Sequence, residues 1–264
     1  MILSLVLGAM VGLVMGLTGA GGGILAVPAL VFGLHLTVAA AGPIGLLAVG
    51  IGAATGALGR LSSGHVRYKA AALMAVTGAL CAPFGSWLAQ RTDTRLLSLV
   101  FALVLLGVGL KSLREGRRTP AASAAPADLP CMRSASNGRF IWNSRCALSL
   151  SGMGVIAGVL SGLLGVGGGF VIVPALQRYS NLAMQSVVAT SLAVIALISL
   201  SGFAGSIFNG HFNVTVGLPF VGGAVLGMLI GTVLAARYAA QGLKTAFGVV
   251  CLAVAVGLAF RTLA

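Results

Sequence analysis

A glycine-rich interruption occurs twice in this chain, and it limits the possible folds more than any other feature. Leu17-Thr18-Gly19-Ala20-Gly21-Gly22-Gly23-Ile24 returns as Leu163-Leu164-Gly165-Val166-Gly167-Gly168-Gly169-Phe170, with Pro28 and Pro174 at the same distance beyond. Each copy lies between apolar runs long enough to be helices of a membrane protein. Breaking a helix there costs several kcal/mol for each backbone group left unsatisfied. Two such breaks in matching places imply a use for the irregular backbone.

Composition enters because it decides that setting. Of 264 residues, 58% are hydrophobic and 7% charged, and the mean hydropathy is +1.09. Soluble domains carry about 25% charged residues. The fold class is therefore an all-α polytopic integral membrane protein. Asp93, Glu115 and Asp128 are the only acids, each near a segment end or in the linker. The net charge of +13 comes from basic residues flanking apolar runs, the pattern that sets membrane orientation rather than one that binds nucleic acid. Met1-Ile2-Leu3-Ser4 lacks the basic start of a signal peptide. The four cysteines are not expected to form a disulfide framework: Cys81 and Cys251 fall in apolar segments, and Cys131 and Cys146 flank the linker. No spacing suggests a metal, and no cofactor is expected.

In chain order, Ile2–Leu17 reads as an apolar helix with Gly8, Gly12 and Gly16 on one face. Ile24–Gly33 is ten residues, about 15 Å of helix. It is too short for a hydrocarbon core of about 30 Å, and so is a half-helix. Thr37–Arg60, Ala70–Ala89 and Leu96–Leu113 are long enough to span. The second half follows as Cys146–Leu164, the break, Phe170–Arg178, Gln185–Asn209, Val214–Ala236 and Gly242–Leu263. The expected organisation is a first transmembrane repeat (1–114), a basic Pro/Ala/Ser-rich flexible linker (115–145) and a second transmembrane repeat (146–264).

An offset of 146 aligns the two breaks. Without a gap it also aligns Gly56 with Gly202, Gly64-His65 with Gly210-His211, Gly85 with Gly231 and Phe101 with Phe247. The relation between the halves depends on the breaks. If each lies within one crossing, a half has four crossings and the repeats are parallel. If the chain doubles back or crosses twice, the count is odd and the repeats are inverted. Lys and Arg concentrate on the cytoplasmic side. The parallel reading divides the 16 basic residues 11 to 5, the inverted reading 13 to 3. The charges favour inverted repeats, with both termini outside and the linker cytoplasmic.

A half-helix that starts after the glycines presents unpaired N–H groups and the positive end of its dipole. Such an end suits an anion. Candidate substrate-binding residues are accordingly Gly19, Gly21, Gly22 and Gly23, then Gly165, Gly167, Gly168 and Gly169, with Pro28 and Pro174 as structural members of the motif. Thr18, Thr190 and Ser191 add hydroxyl donors. Close helix packing is the competing account of the glycines, and a hydroxyl bonded to its own helix is the competing account of those side chains. No Asp or Glu lies within a span, which argues against a carboxylate-based cation route. His65 and His211, at equivalent span ends, are either interfacial caps or proton-linked groups.

With the paired breaks, their prolines and the Gly-His turns, the chain resembles the sulfite exporter TauE/SafE family, also called the toluenesulfonate uptake permeases. The resemblance implies a bacterial inner-membrane permease for sulfur-containing anions (sulfite, sulfonates or sulfoacetate) with the substrate near the glycine motifs. Gly42-Pro43-Ile44-Gly45 stands where the second half has Thr190-Ser191, so the polar contacts are expected mainly from the second half. The expected mechanism is alternating access, with the lipid bilayer and a small anion as partners. A passive anion channel and a non-transporting assembly subunit are the alternatives. The stripes Gly154/Gly158/Gly162 and Gly223/Gly227/Gly231 serve either the internal bundle or a homodimer.

Overall fold

The computed structural model describes residues 1–19, 22–61, 68–117, 131, 143–180, 184–207, 213–235 and 240–263. Among the described residues each half contributes five α-helices. The first has α1 (Ile2–Thr18), a 3-10 turn (Gly22–Leu25) leading into α2 (Ala26–Gly33), α3 (Val38–Leu61), α4 (Tyr68–Arg91) and α5 (Thr94–Arg117). The second has α6 (Ser144–Leu164), α7 (Gly169–Tyr179), α8 (Met184–Ile207), α9 (Val214–Ala235) and α10 (Ala240–Leu263). Among the described residues, six helices are long and apolar enough to cross a membrane: α3, α4, α5, α6, α8 and α9. The apolar stretches of α1, of Gly22–Gly33 and of α10 are shorter. Leu80, Leu103 and Leu148 are more than 70% exposed, as lipid-facing side chains of such helices are. At the end of α4 the Arg91 guanidinium lies 4.3 Å from the centre of the Trp87 ring, an arrangement suited to the interfacial belt.

The chain doubles back at the first break. Gly22 lies against the backbone of Val14 and Met15, and Gly33 lies against Leu7, so the returning segment runs antiparallel to α1. Gly19 (φ +88°) ends α1, and Gly165 (φ +72°) ends α6 in the left-handed conformation with its N–H donating to the Ser161 carbonyl at 2.9 Å.

Packing joins one half to the other. Gly8, Gly12 and Gly16 of α1 rest on the backbone of Phe220, Ala224 and Met228 in α9, so the two helices run parallel. Adding 146 along the sequence reproduces the arrangement: Gly154, Gly158 and Gly162 of α6 rest on Met74, Gly78 and Ala82 in α4. α3 and α8 run antiparallel, Gly56 meeting Leu192 and Gly202 meeting Leu46. α5 and α10 also run antiparallel, Gly109 meeting Leu252 and Gly248 meeting Leu113. One interhelical hydrogen bond crosses from α8 to α4, the Ser201 hydroxyl donating to the Ala79 carbonyl at 2.6 Å.

The cysteine expectation needs correction. Cys131 and Cys146 form a disulfide, and the Cys131 N–H donates to the Tyr179 carbonyl at 3.2 Å. The reason is spatial: the start of α6 and the end of α7 lie side by side, and residue 131 is held between them. Cys81 and Cys251 are free.

Gly12→Ala and Gly158→Ala are each expected to destabilise the protein by about 1–3 kcal/mol, since the added methyl must enter a backbone contact. Gly107→Ala and Gly222→Ala, which have nothing within 4 Å, should unfold at or slightly above the parent temperature in detergent. Equal behaviour of the two pairs would dismiss the packing account.

Candidate functional site

Both glycine breaks reach the interior and meet there. A methyl group on Gly23 would stand 3.2 Å from the Val166 carbonyl oxygen and 3.1 Å from the Val49 side chain. Gly167 (φ +81°) also faces Val49, and beyond it the Ser199 hydroxyl. Gly168 (φ +68°) precedes α7 as its N-cap, and a methyl group on it would stand 2.7 Å from the Ala157 carbonyl oxygen. Side chains at Gly167 or Gly168 would be strained by conformation as well as crowded.

The expected site residues divide by position. Gly22, Gly23, Gly165, Gly167, Gly168 and Gly169 are buried, and those named above are packed against protein. Pro28 is buried in α2. Thr190 and Ser191 are fully buried on α8. Gly21, His65 and His211 lie outside the described residues. Thr18, Gly19 and Pro174 line a cavity of about 350 Å³.

That cavity, among the described residues, has room for a small solute. Its walls come from the end of α1, the middle of α7, the start of α8, and α5, α9 and α10. They are mostly apolar (Phe170, Val173, Val188, Phe247). The polar groups are Thr18, Lys111, Ser112, Gln177 and Gln185. Thr18 is already engaged, its hydroxyl donating to the Val14 carbonyl at 2.8 Å. Gln177 donates to the Met184 sulfur at 3.1 Å. Among the described lining residues one side chain is basic, Lys111, and none is Asp or Glu. Sequence reasoning assigned Lys111 only to the charge balance of the loops. Its turn toward the break depends on α5 packing against α10, which no local pattern shows. Gln177 and Gln185 were missed for the same reason: they bracket the α7–α8 turn and meet only when the chain reverses there.

Ser161, Ser191 and Ser199 are buried hydroxyls with no hydrogen-bond partner among the described residues. Each such group costs about 1–3 kcal/mol. All three belong to the second half, where the polar contacts are expected.

The described fold defines a multi-pass, all-α membrane protein with a cavity at an internal helix break. Comparison with known proteins specifies it further: the model of the family described as Sulfite exporter TauE/SafE matches residues 4–258, and the chain belongs to that family. It is 29% identical over 262 residues to a "Probable membrane transporter protein" of Xylella fastidiosa strain Temecula1, covering 97% of this chain and 93% of the relative. A protein of the same name from Xylella fastidiosa strain 9a5c is 30% identical with the same coverage. "Probable membrane transporter protein YunE" of Bacillus subtilis is 25% identical over 87% of this chain and 86% of its own length. No solved structure matches. The protein is a membrane transporter.

Lys111→Met should weaken anion binding about tenfold or more, since a charge-assisted hydrogen bond is worth about 1.5–3 kcal/mol and about 1.4 kcal/mol is tenfold. Lys111→Arg should retain most of the affinity. Binding of a sulfonate to the detergent-solubilised protein, followed by calorimetry, checks both. Unchanged affinity in the methionine variant would remove Lys111 from the site.

Proposed function

We propose that the protein is an alternating-access permease for small sulfur-containing anions in the bacterial inner membrane. The observation that carries this reading is the cavity, whose described lining brings the first glycine break and the α7 residues Phe170, Val173 and Pro174 beside Lys111. Phe170, in the first turn of α7, lines the cavity, so the positive end of that helix's dipole lies near it. Its volume is larger than a bare three-oxygen anion needs, and its walls are apolar. Both features favour a sulfonate carrying a small organic body over sulfite itself. The motif glycines then act mainly by letting the two breaks approach, while Thr18, Gly19 and the first turns of α7 face the substrate.

Three observations support inverted repeats: the reversal of the chain at the first break, the antiparallel course of α3 and α8, and that of α5 and α10. On this reading Lys111, Arg237 and Lys244 share the cytoplasmic side with the linker. The Cys131–Cys146 disulfide belongs to the same region, and disulfides are rare in the cytosol. The pair is therefore expected as free thiols in growing cells and as a disulfide after isolation in air. Alkylation of whole cells before lysis should block both cysteines. A pair protected until a reductant is added would instead put the linker on the oxidising side.

Flux into proteoliposomes tests the transport reading. Saturable uptake of a labelled small sulfonate, competed by sulfite and weakened when Val108→Phe narrows the cavity, is the expected result. Uptake that rises linearly with concentration would indicate a channel. A folded Val108→Phe protein with unaltered flux would remove the cavity from the path.

A further inference from the structure

The cavity has a collapsed counterpart at the other end of the molecule. Gly16, Gln185, Val188 and Ala235 line the open cavity. The positions offset by 146 are Gly162, Ala39, Gly42 and Ala89, and all four line a second pocket of only about 20 Å³. Val188 and Ser206 mark the two pockets on α8, and their 18-residue separation is about 27 Å along the helix. That is close to the thickness of a hydrocarbon core, about 30 Å.

The difference between the two ends lies in one pair of helix seams. In the α4–α8 seam, a methyl group on Gly205 would stand 2.9 Å from Pro83 and 3.0 Å from the Ser86 hydroxyl. The equivalent seam joins α9 to α3, and there Gly59, 146 residues before Gly205, has nothing within 4 Å. One seam is zipped to its end and the other has parted. Related sequences thus hold two packings of the same contact in one molecule, and an exchange between them costs little when both halves can adopt either.

We propose that Ser86, Gln90 and Ser206 line a second substrate mouth, which opens to the opposite face when the α4–α8 seam parts and the α3–α9 seam closes at Gly59. The mouth takes the same anion class, and this inference rests on the permease reading. Ser86 and Ser206 now donate to Pro83 and Gly202 carbonyls within their own helices, at 2.9 Å for each. They are available as donors once the seam opens. Gly257 stands at the position equivalent to Lys111, so the second mouth has no matching cation and would release an anion more readily than the first. The unpartnered hydroxyls of Ser191 and Ser199 lie on α8 between the two mouths, where a solute passing from one to the other finds donors.

The test uses the full chain in liposomes with Cys81→Ala and Cys251→Ala. Ser206, now 3% exposed, is replaced by cysteine in one protein and Val188 in another. An impermeant maleimide should label Val188→Cys from one face and Ser206→Cys from the other. Adding Gly59→Trp wedges the α3–α9 seam apart in space that is empty now. It should slow labelling of Ser206→Cys at least tenfold, leave Val188→Cys reactive and leave the melting temperature unchanged. Ser206→Cys that stays unreactive from both faces in a protein that carries flux would overturn the proposal, as would a rate indifferent to Gly59→Trp. The labelling needs no substrate, so reciprocity without sulfonate flux would keep the second mouth and reject only the substrate reading.

Discussion

The structure depends on glycine resting against backbone. Lipid tails are as apolar as leucine, so hydrophobic burial does not drive membrane helices together, and close van der Waals approach must do so. Here the approach is made by two parallel pairs, α1 on α9 and α6 on α4, each through three glycines a turn apart. A single methyl group in these contacts would collide with a carbonyl. The same pairs fix where α1 and α6 end, and therefore where the two glycine breaks lie in the interior. The cavity is a result of that placement.

Because the pairs exchange partners between halves, the most tightly packed units of the protein are not its sequence halves. α1 must move with α9 and α6 with α4, since parting either pair would undo its densest contacts. The α3–α9 and α4–α8 seams lack a ladder of three glycines, so a change of packing there undoes fewer close backbone contacts than parting α1 from α9 or α6 from α4. The smaller pocket lies at the end of the α4–α8 seam, and the larger cavity lies at the end of α9, where Ala235 lines it.

Much of the architecture was legible in the sequence, for identifiable reasons. Apolar length and missing acids gave the class, and the spacing of Gly8, Gly12 and Gly16 gave a packing face. The residue count of Ile24–Gly33 gave a segment too short to span. The partner of each face was not legible, because small-residue stripes on α1, α4, α6 and α9 are alike and nothing local distinguishes one fit from another. The cavity was legible only at Thr18, Gly19 and Pro174. Lys111 and Gln185 join them through contacts between helices far apart in sequence. The pairing of Cys131 with Cys146 was missed because linker composition describes stiffness and charge but not where one residue is anchored.

The exchanged pairing also bears on biosynthesis. When the first half leaves the ribosome, the face of α1 that carries Gly8, Gly12 and Gly16 has no partner, because α9 is still about one hundred residues from being made. α4 waits in the same way for α6. The early helices must stay in the bilayer as loosely associated, separately inserted segments; the α4–α6 pair can form once α6 arrives, and the α1–α9 pair only near the end of synthesis. A chain truncated at the linker would hold its glycine faces open to whatever shares the membrane, and so would be a natural target for membrane quality control.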